Sequence, residues 1–480
     1  MTKENYMIKQ IIASVMITAS VCAFAQVKVV EGTKFTTDDN LETDEKLVLA
    51  DDYNSYMFSA INIDGLMRNV FPHKKLLMRK LDQNGSLVDT YIQDYANKTN
   101  GVLHNYLGSQ QIDEDRLVAF TEEYFGKENR KEVFQHVFSK KTGSFTTKSI
   151  AKYTIESTNR SGTTYVVFSE NGKYAAVFND RYASKKTDNV NDALVIDLRT
   201  LTPLWNKEIT LSSDYVEKSL TLTNSGKIVL LRKAAGWKES YKMEMVSNTE
   251  DKDLPFDDKY IPEKLYAISK NDNDYLVTFG RKNQAVTMGG STFGTVMFYD
   301  IKSGKAVISN TNLAGSKDMS DVKVIKTIIK GDEVLMAVQQ ETVSRPMPTA
   351  MNRFPDPVYT LDVGVLMKFN KEGEVKQFVP LGSNPSGRRV QVIESGDNLY
   401  VSAFYPKGAF GNTGFSMKAF DFGSLAPKEL TVDYKGRNFF QNYGFTDGNL
   451  VQFVPATNKL LFLDKDGKNV QMFSIYNFVK

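Results

Sequence analysis

The sequence predicts an all-β fold, a β-propeller of about eight four-stranded antiparallel blades. Three observations carry this. Turn signals recur along the chain with one period. Each period parses into four short strands. Outside the first 25 residues, helical periodicity is almost absent. A four-stranded unit repeating every 40 to 60 residues cannot cover both faces of its own sheet, and packing around an axis covers them.

The turns form two sets. One falls at Asn84-Gly85, Thr142-Gly143, near Thr200, near Thr249, and at Ser303-Gly304, Glu372-Gly373, Gly423 and Asp466-Gly467. Gly85 and Gly467 lie 382 residues apart over seven intervals, a period of about 55. A second turn precedes most of these: "ENGK" at Glu170, "NSGK" at Asn224, "NDND" at Asn271, "KGDE" at Lys330, "SGDN" at Ser395 and "TDGN" at Thr446. Asn-Gly and Asp-Gly are preferred hairpin chemistry.

With strands lettered A to D, the third unit reads "TTYVVFS", "YAAVFND", "DALVIDL" and "PLWNKEITL". The fifth reads "KLYAISK", "DYLVTFG", "GTVMFYDI" and "KAVISNT". The seventh reads "RVQVIES", "LYVSAFY", "FSMKAFD" and "PKELTV". The units span about 46–95, 101–153, 163–212, 217–261, 263–313, 321–381, 388–433 and 439–480, with "MFSIYNFVK" as the final strand. "VKVV" near Val27 can close the ring by pairing with the last unit, so the count stands open between seven and eight. Two stacked sandwiches or two smaller propellers are the alternatives. Even spacing without a linker argues against both.

"ALVIDLRTLTPLWNKEI" and "VMFYDIKSGKAVI" resemble the quinoprotein-type propeller repeat, an Asp-bearing third strand turning through Thr/Ser-Gly into a fourth strand with Trp. Asp197, Thr200 and Trp205 match in one unit, and Asp300, Ser303 and Gly304 in another. The resemblance implies a propeller, commonly eight-bladed. It does not bring the family's quinone-dependent dehydrogenase activity, whose disulfide and calcium ligands have no counterpart here. No cofactor is expected.

Composition sets further bounds. The chain has 480 residues, 41 % hydrophobic, with 60 basic and 57 acidic side chains. A formal charge of +3 gives no field for nucleic acid or an anionic membrane. Residues 1–25 read as a cleavable signal: Lys3 and Lys9, then "IIASVMITASVCAFA" ending in an A-x-A pattern. The expected organisation is this signal, an N-terminal segment 26–45, and one propeller domain over 46–480. The only cysteine, Cys22, lies in the signal, so the mature chain has no disulfide. No later run is long enough to span a bilayer. The expected location is exported: periplasmic, outer-membrane-associated or extracellular.

The candidate chemistry is sparse. His73, His104 and His136 lack metal-ligand spacing and read as ordinary strand or loop residues. The mature chain is expected to have no thiol, and no Ser-His-Asp pattern stands in the sequence. The sialidase-type "S-x-D-x-G-x-T-W" box is absent. "DKDGKN" (464–469) reads as a hairpin turn rather than a calcium loop.

The loops say more. A–B and C–D turns lie on one face of a propeller, B–C and D–A connections on the other. B–C loops read as long at 64–75, 122–131, 180–192, 232–240, 280–293, 344–360 and 405–415, and short only at "VPATNK". Four of the chain's 13 prolines fall within 345–359, and proline cannot serve a sheet ladder. The binding-face candidates are Phe71, Tyr182, Trp237, Arg281, Arg345, Phe354, Tyr405 and Phe410. Aromatics with Arg are the composition of protein-interface anchors. The expected function is therefore an exported, non-catalytic scaffold that binds another protein in a cell-envelope or outer-membrane-associated complex. The alternative is a glycan-binding or glycan-cleaving propeller using paired carboxylates.

Overall fold

A computed structural model describes residues 27–37, 42–61, 75–94, 104–157, 160–181, 189–234, 240–257, 260–282, 295–310, 322–344, 358–382, 389–407, 412–428, 430, 432–439, 448–466 and 468–479. Eight four-stranded antiparallel sheets form the blades of a propeller. Blades 1 to 7 occupy residues 42–94, 104–154, 163–211, 215–253, 260–310, 322–380 and 392–428. Each is a plain meander, strands A to D in chain order. The first strands of successive blades approach one another, which makes strand A the innermost.

Blade 8 differs. Its strands A to C are Val451–Val454, Lys459–Asp466 and Asn469–Tyr476, and its outer strand is Lys28–Thr36 from the other end of the chain. That strand pairs Lys28 with Tyr476 and Thr36 with Asn469, with a bulge between Glu31 and Lys34. The last unit is therefore one strand out of phase with its sequence reading. "VPATNK" is an A–B turn, not a B–C loop, and Asp466-Gly467 joins B to C rather than C to D.

The core is divided among the blade interfaces. Tyr56, Phe58 and Met78 of blade 1 meet Leu117 and Phe138 of blade 2. Val118 and Val133 meet Val177 and Leu194. Phe178 and Trp205 meet Leu222 and Leu230. The pattern continues around the ring to Met57 and Leu81 of blade 1 against Leu461 and Met472 of blade 8. Each blade buries both faces only because it has two neighbours, so the ring must close for the core to exist.

The recurring Asp of strand C has a mechanical role. Asp82, Asp197, Asp300 and Asn370 each accept the backbone N–H two residues on, and Asp421 that of Ser424 three residues on, setting the C–D turn. Trp205 ties blade 3 to blade 4: its indole N–H donates to Gly226 O at 2.9 Å, in the A–B turn of the next blade.

One prediction arises in blade 2. His136 is fully buried on strand C, with Nε2 2.8 Å from Thr121 Oγ1 and Nδ1 2.9 Å from Thr147 Oγ1. Burial lowers its pKa from 6.5 to about 4. The unfolded chain takes up this proton first as pH falls below 6.5. Stability is therefore lost between pH 6.5 and 4 and is complete above 6.5. Urea midpoints at pH 7.5 and 4.5 should diverge more for the wild type than for His136→Gln. Equal divergence would show that His136 does not titrate in this way.

Candidate functional site: a polar layer at the B–C ends

Strand B carries a buried polar residue toward its B–C end in seven blades. Ser59, Thr121, Asn179, Arg232, Thr278, Gln339 and Ser402 follow buried apolar stretches, and all are themselves buried. A buried polar group must be paired, and these pairs knit a layer above the core on the B–C side. Ser402 Oγ accepts Gln391 N–H at 2.6 Å, and Gln339 Oε1 accepts Val390 N–H at 2.9 Å.

In blades 1 to 4 the layer is ionic. Glu42 takes both terminal nitrogens of Arg79, at 2.5 and 2.7 Å, and also the hydroxyl of Ser59. In blade 4, Arg232 is 1 % exposed, donates to Ser212 O and Tyr215 O, and pairs with Glu244 at 3.2 Å. Between them, blades 2 and 3 hold the densest cluster.

That cluster follows from strand alternation. Strands B (Arg116–Phe125) and C (Arg130–Ser139) of blade 2 are joined by one 3-10 turn, Gly126–Glu128, with Asn129 in the left-handed region. The long loop expected at 122–131 is thus mostly paired strand: Tyr124 lies opposite Lys131 and Phe125 opposite Arg130. The alternation of side chains then puts Glu122, Tyr124, Lys131 and Tyr153 on the face toward blade 3. Glu122 Oε1 accepts from Asn105 at 3.0 Å and from Tyr124 OH at 2.6 Å, while Oε2 lies 3.4 Å from Lys131 Nζ. Lys131 is fully buried between the rings of Tyr124 (5.9 Å) and Tyr153 (5.8 Å). Among the described residues neither the ammonium, in ion-pair contact with Glu122, nor the Tyr153 hydroxyl makes a hydrogen bond. Burial lowers the Lys131 pKa, opposed by Glu122, and raises that of Tyr153.

Blade 3 supplies the facing charges. Asp192 accepts from Asn179 at 3.0 Å and from both arms of Arg181, whose guanidinium also reaches Glu208 at 2.8 Å. On the opposite face of that sheet, burial raises the Asp180 pKa, with Arg232 and Lys131 opposing. Between strand D of blade 2 (Ser144–Thr154) and strands C and D of blade 3 lies an open cleft of about 420 Å³. Tyr153, Asp192 and Glu208 line it.

Of the sequence candidates, Phe71, Tyr182, Trp237, Arg345, Phe354 and Phe410 lie outside the described residues. Arg281 and Tyr405 are placed by backbone alone, near the B–C ends of blades 5 and 7, opposite Ile261 and Gly414. Glu122, Lys131, Tyr153, Asp192 and Arg232 were missed. The signal available was a polar or charged residue following the strand-B apolar run, as in "LVAFTEE" and "IVLLR". Among the described residues no group of three His, Cys, Asp or Glu is placed to hold a metal, and no helix is long and apolar enough to cross a membrane.

No protein-family model matches the sequence, and no curated protein does. The quinoprotein resemblance therefore stays with the two quoted repeats. Solved structures do match. The propeller domain of the Trilobed protease from Pyrococcus furiosus is 9 % identical at a TM-score of 0.39, over 82 % of this chain and 98 % of that one. An oligogalacturonate lyase from Vibrio parahaemolyticus is 9 % identical at 0.39, over 95 % and 100 %. An acylaminoacyl peptidase from Pyrococcus horikoshii is 10 % identical at 0.38, over 91 % of this chain and 57 % of that one. Their names are those of a protease, a lyase and a peptidase, so the expectation that this protein is not an enzyme is not upheld. At such identity the likeness shows the fold alone and assigns no reaction.

Proposed function

We propose that this protein is exported and holds a protein partner of a cell-envelope assembly against the B–C face of its ring. The observation that supports this is the uneven length of the connections. A–B and C–D turns are short, as at 271–272, 331–332, 396–397, 83–86 and 247–250. B–C connections are longer at 62–74, 181–188, 235–240, 283–294 and 345–357, and as short as the turns at 126–129, 408–411 and 467–468. The excess length therefore lies in blades 1 and 3 to 6, and the long loop expected at 405–415 is four residues between strands. Closing a hairpin needs only two residues, and binding commonly sits on longer connections carried by a rigid scaffold. The ionic layer of blades 1 to 4 lies beneath this face and gives it a fixed base. Phe354 and Arg345 share their connection with Pro346, Pro348, Pro355 and Pro357, whose fixed φ reduces the ordering cost of binding. The signal-like residues 1–25 support export.

The test is photo-crosslinking in native envelope, with a crosslinking residue at Phe354 or Phe410 and, as controls, at Thr142 or Ser303. One protein should crosslink from the first pair only and be lost on Arg345→Ala. Equal capture from both faces, or none from the first pair, removes the reading.

A further inference from the structure

Solvent reaches the axis of the ring. Strand A is the innermost strand, and its middle residues have packed blade interfaces on both faces, so an exposed side chain there stands in the central channel. Tyr165, within strand A of blade 3 (Thr163–Phe168), is 37 % exposed. Lys326, within strand A of blade 6 (Val322–Lys330), is exposed as well.

A bulge between Val324 and Lys326 sets the direction of the lysines in blade 6. Three positions apart, Lys323 and Lys326 would lie on opposite faces of a regular strand. The bulge leaves Lys323 opposite Gln339 and Lys326 opposite Ala337, which puts both on one face. That face is the one toward blade 7: Gln339 accepts Val390 N–H, and Ala337 shares a cluster with Val390 and Val392. Lys323 thus stands level with the start of strand A in blade 7, beside Arg389, and Lys326 lies two ladder steps, about 7 Å, further along.

This wall is basic and short of acids. Strand A of blades 6, 7 and 8, at 322–330, 392–395 and 451–454, holds Lys323, Lys326 and Lys330 against Glu394, which Lys330 already takes at 3.2 Å. Arg389 donates through one terminal nitrogen to Asn449 at 2.9 Å, a neutral partner. Among the described residues Lys326 makes no ion pair or hydrogen bond, and Arg389 meets no carboxylate. In blade 1, by contrast, the strand-A charges are matched: Asp44 with Lys46 at 3.0 Å and Glu45 with Lys465 at 2.7 Å.

We infer that the central channel binds a small multivalent oxyanion, a polycarboxylate or a phosphate, on the wall of blades 6 and 7. Lys326 supplies an unshared ammonium, and Arg389 a guanidinium with a terminal nitrogen left over, for two charge-assisted contacts at separate levels of the channel. Low-dielectric walls concentrate the field of such cations. The site needs no partner at the B–C face.

Calorimetric titration of the full chain at low salt tests this with citrate and with inorganic pyrophosphate. At least one should bind, and which one does tells carboxylate from phosphate. Affinity should fall about tenfold in Lys326→Gln, the loss of one charge-assisted hydrogen bond, and binding should vanish in Lys326→Glu. Arg389→Gln should weaken it as well. Lys326 is exposed, so its variants decide the question if Arg389→Gln does not fold. Lys148→Gln, at an exposed lysine on the outer strand of blade 2, should bind like the wild type. The site is ruled out if neither anion binds at millimolar concentration, if Lys326→Gln or a folded Arg389→Gln binds like the wild type, or if Lys148→Gln weakens binding as much as Lys326→Gln.

Discussion

Gly32→Val should lower the urea unfolding midpoint by the equivalent of about 3 kcal/mol, at the upper end for an overpacked site. Gly32 sits in the bulge of the N-terminal strand, against the C–D turn of blade 1. A Cβ there would lie 2.4 Å from Asn84 O and 2.8 Å from Met472 O. Both are backbone atoms, so neither can swing aside. The neighbouring Thr33 N–H donates to the same Asn84 O at 2.9 Å, which pins the strand in place. The substitution therefore has to lift the outer strand from blade 8 and expose the seam where Met57 and Leu81 meet Leu461 and Met472. Gly331→Ala is the contrast. Its φ is +56° and its Cβ would meet nothing within 4 Å, so only the backbone term of about 1 kcal/mol remains. A Gly32→Val protein melting within 1 kcal/mol of the wild type would show that the seam contributes little.

Lys131→Met should cost about 3–5 kcal/mol, because it leaves the buried Glu122 carboxylate without its cation. Glu122→Gln leaves the converse fault, a buried ammonium without its anion. The double variant removes both charges and should recover most of the loss, with a coupling of at least 1 kcal/mol across the cycle. Stability in urea reads all four corners. Additive single losses would show that the two charges do not act as a pair. The lowered pKa of Lys131 adds a signature in pH. Between that lowered value and 10.5 the unfolded chain binds the additional proton, so this lysine's contribution to stability rises with pH across the window. The rise should vanish in Lys131→Met.

The sequence displayed the repeat because its turns use strong local chemistry. Asp197 and Asp300 fix their turns by bonds within three residues, and such bonds are legible without knowing the fold. The closing strand near Val27 was legible, and residues 28–36 do pair with the last unit; its phase was misread because 439–480 was parsed as a whole unit, whereas its blade takes only three strands from there. The segment 122–131 misled for a different reason. Its charges, Gly126 and Asn129 read as loop, yet Glu122 and Lys131 are paired strand residues buried against the next blade. Burial of a charge depends on partners from other strands and blades. Strand alternation could place Glu122 and Tyr124 on one face, but nothing local says that Lys131 stands beside them.

The borrowed outer strand also bears on the order of assembly. Residues 28–36 leave the ribosome more than 400 positions ahead of their partners at 469–476. Seven blades can stack as they emerge, but the first of them keeps one flank bare until those partners are made. Closing a loop of that span is entropically slow, so the newly made chain must protect the unfinished flank of blade 1 throughout that interval.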